Sequence, residues 1–190
     1  KELKKFFNFE YRGFNMGEVM AMDIMASVCN KNFSFYLRHS ISLIYRKKNF
    51  SILNDIIDED LSLNTYTPNR EDHRELTEKY VKKLNINSRI FFLNSLRSER
   101  YFDIKYFFSS MKIVLRSDNI FALKYIYFSI LLSHHKILID LILKENIKLP
   151  KSYYAFNSST GLESLLTLYF KQKGVNTYSL QHGLYFSFNN

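Results

Sequence analysis

Tryptophan is absent from this 190-residue chain, cysteine occurs once, proline twice and glycine five times. Each scarcity removes a class of protein. A single cysteine, Cys29, closes no internal disulfide and supplies no zinc cluster, so a reducing, cytoplasmic setting is expected and Cys29 reads as a small buried side chain. With so few prolines and glycines to punctuate it, the chain favours long elements, chiefly helices, and an all-β fold is disfavoured. There is no glycine-rich phosphate loop, no nucleophile elbow and no clustered His or Cys, so neither a metal nor another cofactor is expected. The Lys- and Phe-rich opening lacks the apolar core of a secretion signal.

What the chain does carry is an apolar content of 46%, enough for a substantial core, and a net charge of +9. That charge is terminal and diffuse: +5 over residues 1–50, −1 over 51–110, +3 over 111–150 and +2 over 151–190. A positive face suits anionic lipid headgroups, a phosphorylated lipid-linked acceptor or an acidic sugar polymer. The scattered Lys and Arg form no nucleic-acid module, and no nucleic acid is expected as a partner. Fourteen Tyr and eighteen Phe suit stacking on sugars as well as core packing.

Periodicity predicts mostly helix before residue 150. Asn15 with Glu18 has capping-box spacing ahead of an apolar face of Met16, Val19, Met20, Ile24 and Val28. A second helix is expected over Ser34 to Tyr45 and a charged one over Glu71 to Leu84, separated by a polar loop or hinge from Asn64 to Asp72 around Pro68. Phe102 to Leu115 fits either a helix or a strand. Leu123, Ile126, Ile130, His134, Ile137 or Leu138, and Leu141 describe a long core helix or helix pair, with His134 on the apolar stripe and His135 facing elsewhere. Its charged interruptions place it short of the roughly 18 apolar residues of a membrane span. Asp58-Glu59-Asp60 is similar to the acidic metal-binding triplet of one glycosyltransferase architecture, but no strand precedes it and no metal role is expected.

The last third is the most specific. Tyr153 to Phe156 suits a strand, and Asn157, Ser158, Ser159 and Thr160 break it. Thr160 with Glu163 has capping-box spacing, Leu162, Leu165, Leu166 and Tyr169 form an apolar stripe, and Gly174 supplies a helix stop. Val175 to Leu180 suits a second strand. A strand, one packed helix and a strand form a parallel, right-handed unit, with ligands bound beyond the strands' carboxyl ends. The Asn157 to Thr160 turn and Gln181-His182-Gly183 both fall there, and the turn offers helix N–H groups to a phosphate or carboxylate.

This order of strand, polar turn with a downstream Glu, helix, strand and Gln181-His182-Gly183 resembles the N-terminal-domain signature of bacterial surface-polysaccharide glycosyltransferases of the two-domain GT-B type. The resemblance covers residues 150–186. A weaker similarity lies at Phe9-Glu10-Tyr11-Arg12-Gly13-Phe14-Asn15-Met16-Gly17-Glu18. It implies transfer from a nucleotide-sugar donor to a glycan or lipid-linked acceptor, with His182 as base, Gln181 on a sugar hydroxyl and Gly183 admitting close backbone approach. It also implies that the donor is held mainly on a C-terminal domain beyond Asn190, so that this acceptor-side part is inactive alone. The setting implied is cytoplasmic, with peripheral contact at an anionic inner membrane face left open. The expected fold is α/β: a helix-rich domain around a small parallel, Rossmann-like sheet, mainly helical over residues 1–149 and ending in a βαβ unit over 150–190. Two other readings stay open: a nucleotide-sugar epimerase or polyol-phosphate transferase on the same architecture, and a non-catalytic basic helical interaction domain.

Overall fold

The computed structural model describes residues 9–21, 23–25, 33–44, 47–66, 71–96, 98–99, 102–116, 122–156 and 161–180. In chain order, a ribbon of β1 (Glu10–Tyr11) and β2 (Phe14–Asn15) leads into α1 (Met16–Val19), followed by α2 (Phe33–Ile44), β3 (Lys47–Lys48) and α3 (Ser51–Ile56). Next come β4 (Ser62–Tyr66), α4 (Glu71–Leu84), β5 (Ser88–Phe92), β6 (Ser98–Glu99) and α5 (Ile104–Val114). The chain continues through α6 (Ala122–Glu145), β7 (Ser152–Ala155), α7 (Gly161–Gln172) and β8 (Asn176–Ser179).

The fold is α/β. Four strands form one parallel sheet in the order β5-β4-β7-β8. The mainly helical first 149 residues therefore supply two of its strands. Tyr153 and Tyr154, being neighbours on a strand, point to opposite faces. The Tyr153 ring lies 4.9 Å from Phe170 of α7 and the Tyr154 ring 6.2 Å from Tyr80 of α4, so these two helices cover opposite sides. The β4-α4-β5 crossover runs outward one way and β7-α7-β8 the other, which makes the β4–β7 seam the point where strand order reverses.

The expected loop from Asn64 to Asp72 is corrected at its start, since Asn64, Thr65 and Tyr66 belong to β4. Its remaining residues up to Arg70 lie outside the described set, and α4 begins at Glu71. Asn is a poor strand former, but β4 is central, and pairing on both edges overrides local preference. The ambiguous Phe102 to Leu115 segment is helical over α5, where Asp103 Oδ1 accepts the N–H groups of Lys105 and Tyr106. Asn15 Oδ1 likewise caps α1 through Gly17 and Glu18.

A single helix, α6, spans the expected helix or helix pair. Contrary to the sequence expectation, residues Tyr125–Glu145 are long and apolar enough to cross a membrane, with mean hydropathy 1.5, but 72% of an 18-residue stretch within them is buried in the fold. Helices α2 and α5 pack against it. The assignment of its histidines is reversed: His135 is 3% exposed and pairs with Asp23 Oδ2 at 3.1 Å, while His134 is only partly buried. A helix packed on most sides has no single apolar stripe, so a one-face template misplaces neighbouring residues.

The Phe9 to Glu18 segment is tied to this helix. Asp140 Oδ2 accepts from Tyr11 Oη at 2.7 Å and also from Tyr106 Oη, while Arg12 Nε lies 3.4 Å from Asp140 Oδ1. Buried Lys136 sets its ammonium 5.4 and 5.3 Å from the Phe9 and Tyr11 rings. Gln172 of α7 donates to the Gly13 carbonyl at 2.7 Å. One buried cluster then joins Phe14, Met16 and Val19 to Leu63, Tyr153, Leu165, Leu166, Tyr169 and Phe170.

Candidate functional site

The βαβ unit forms with both strands adjacent. Strands β7 and β8 pair in parallel with Tyr153 opposite Thr177 and Ala155 opposite Ser179, and the Leu180 N–H extends the ladder to the Ala155 carbonyl at 2.8 Å. Helix α7 enters through Gly161 at φ 51° and stops at Gly174 at φ 80°, both in the left-handed region that glycine tolerates. At the stop, Val175 N donates to the Phe170 carbonyl at 3.0 Å and Gly174 N to that of Lys171 at 3.1 Å.

Glu163 marks the switch point. It is fully buried in the first turn of α7, with Oε1 accepting the Phe156 N–H at 2.9 Å and the Thr65 hydroxyl at 3.4 Å. The Phe156 N–H is shared with the Thr65 carbonyl at 3.0 Å. Thr65 Oγ1 also lies 2.7 Å from Tyr153 Oη, and since the threonine proton goes to Glu163, the phenol donates to the threonine. Burial first, then the negative charge of Glu163, pushes the Tyr153 phenol up, so it stays a donor. One carboxylate thus holds the carboxyl ends of β4 and β7 at a fixed spacing from α7.

Beside this seam a cleft of about 300 Å³ opens between α4 and the ends of β7 and β8. Leu76, Lys79, Tyr80 and Lys83 recur at helical spacing along one face of α4 to form its wall, and Phe156, Ser179 and Leu180 line the other side. Next to it the Tyr154 and Tyr178 rings stack at 4.8 Å and 18°, with Tyr80 edge-on to Tyr154. Burial, and then the Tyr154 and Tyr178 phenols, raise the Tyr80 pKa, so that hydroxyl remains protonated and able to donate.

Of the residues singled out from sequence, Glu163 is described, and its contacts are with the protein's own groups. Asn157, Ser158, Ser159, Thr160, Gln181, His182 and Gly183 lie outside the described residues. The described chain reaches Phe156 before the first of these stretches and Leu180 before the second, and both of those residues line the cleft. Thr65, Tyr80, Lys79 and Lys83 are not singled out by the sequence. The signal for the α4 trio is its shared helical face, whereas nothing in the SLNTY run of β4 marks Thr65. Among the described residues, no three His, Cys, Asp or Glu are placed to hold a metal, and Asp58-Glu59-Asp60 ends in an exposed turn.

Comparison of the chain with family models, with curated proteins and with solved structures finds no match.

Proposed function

We propose that this chain is the acceptor-binding part of a glycosyltransferase that moves a sugar from a nucleotide-sugar donor onto a bacterial surface glycan, capsule or lipo-oligosaccharide. The observation that carries the reading is the parallel pairing of β7 with β8. It sets Ala155 and Phe156, which precede Asn157 to Thr160, beside Leu180, which precedes Gln181-His182-Gly183, at the carboxyl end of the sheet where ligands of such folds bind.

In this reading the acceptor hydroxyl attacks the anomeric carbon, the nucleotide diphosphate leaves with the bonding electrons, and the hydroxyl proton passes to the neutral imidazole of His182. Gln181 binds a sugar hydroxyl, and the turn before α7 receives an anionic group of the substrate. A second domain holds most of the donor. The work is done in the cytoplasm, with the basic surface resting on the anionic inner face of the membrane.

Deleting the gene in the bacterium that encodes the chain tests this. The surface glycan is expected to lose a defined sugar, visible by mass spectrometry of released glycans, and to regain it when the gene is returned. An unchanged glycan contradicts the proposal.

A further inference from the structure

We infer that the cleft between α4 and the carboxyl ends of β7 and β8 binds a pyranose that carries an anionic substituent, with the ring against the tyrosines and the anion on Lys79 and Lys83. The inference rests on the proposed function in taking the ligand to be a sugar, and it adds the charge class of that sugar.

The aromatic residues at the cleft argue for a ring first: Tyr80 lines it, and Tyr154 and Tyr178 extend from Tyr80 beside it. Tyr178 is 48% exposed although it stacks on Tyr154, so a large aromatic surface stands open beside the cleft. A sugar ring presents an apolar C–H face and a hydroxyl edge, and tyrosine offers a matching ring face and hydroxyl. About 300 Å³ lies at the small end of small-molecule sites, a size for one ring with one substituent rather than a whole nucleotide sugar.

The charge follows from α4. Lys79 and Lys83 stand one turn apart on the cleft wall, and among the described residues the lining holds no carboxylate. Lys79 has a partner, Glu75, at 3.5 Å, but with 75% and 59% of the two side chains exposed that pair is weak and readily exchanged for a ligand anion. Away from the cleft lining, Arg74 is engaged by Glu78 at 2.8 Å and Lys82 is exposed on another face, so Lys79 and Lys83 are the basic residues that α4 presents to the cleft. A phosphate or a carboxylate on the sugar meets the same need.

The test is an NMR titration of the full chain with glucuronate, glucose 1-phosphate, glucose, inorganic phosphate and uridine monophosphate, following the Tyr178 ring signals. Both charged sugars are expected to bind about tenfold tighter than glucose, the gain available from two exposed charge contacts. Lys79→Gln with Lys83→Gln, two exposed positions that leave the fold alone, should erase that gap, as should high salt, without moving glucose. Tyr178→Ala should weaken all three sugars. Whichever charged sugar binds more tightly names the anion. Glucose binding as tightly as the charged sugars would overturn the inference and leave the proposed function standing. Phosphate alone matching glucose 1-phosphate, or the uridine nucleotide exceeding both charged sugars, would overturn it as well. No binding by any sugar would remove both the inference and the acceptor-binding reading.

Discussion

Glu163 Oε1 accepts the backbone N–H of Phe156 at 2.9 Å, reaching back from the first turn of α7 to the end of the strand before it. The contact ties the end of β7 to the first turn of α7. With Thr65 bound to the same oxygen, the carboxylate ties the two strands that flank the switch point.

Glu163→Ala removes an acceptor that serves two buried donors and leaves a small cavity. The Phe156 N–H keeps the Thr65 carbonyl, which limits the damage. A loss of about 2–3 kcal/mol is expected by urea unfolding, and Glu163→Gln, which keeps shape and one oxygen, should lose about half as much.

Gly174→Ala forces a side chain into φ 80°. Nothing lies within 4 Å of the position its Cβ would take, so the cost is conformational alone, about 1 kcal/mol, read as a fall of about 2–4 °C in Tm. Asp103→Ala, which deletes the cap of α5, should cost about 1 kcal/mol by the same measurement.

Burial raises the pKa of Asp23, but the hydrogen bond and charge of His135, with further charge from His39 and His134, outweigh it and hold the carboxyl below its ordinary 3.8. A carboxyl with a depressed folded pKa stabilises the fold above the unfolded pKa, and that contribution is lost as pH falls through the folded value. Unfolding free energy should therefore decline below about pH 4, and Asp23→Asn should flatten that part of the profile. A profile identical in the two proteins would show that the Asp23–His135 pair carries no linkage.

Asn64 is fully buried in β4, and among the described residues neither its Oδ1 nor its Nδ2 meets a partner. An unpaired buried amide is destabilising, so Asn64→Leu should be neutral or stabilising by up to about 1 kcal/mol in urea unfolding.

The elements legible in the sequence are those with local signals. The capping residue Asn15, the Glu71 to Leu84 helix, the Gly174 stop and the paired strands of the βαβ unit each rest on contacts within about twenty residues, where periodicity and turn chemistry speak directly. Strand β4 does not announce itself, because Ser62, Asn64 and Thr65 are polar and the strand exists through pairing with β5 and β7. Periodicity confuses His134 with His135 on the buried side of α6, because a helix surrounded by others lacks a polar face to orient it. At the site, the spacing of Thr160 and Glu163 suggests a local cap. Thr160 lies outside the described residues, and Glu163 also reaches Thr65, 98 positions away in the chain, a relation that no window of sequence contains.

In the proposed reaction the acceptor loses its proton to His182 at the carboxyl end of this sheet. The direct measurement is sugar transfer by the full-length protein carrying His182→Ala, alongside donor affinity. A fall in turnover of about 10²–10⁴ with donor binding retained is predicted, the contribution of a positioned general base. Turnover preserved in that variant would remove His182 as the base.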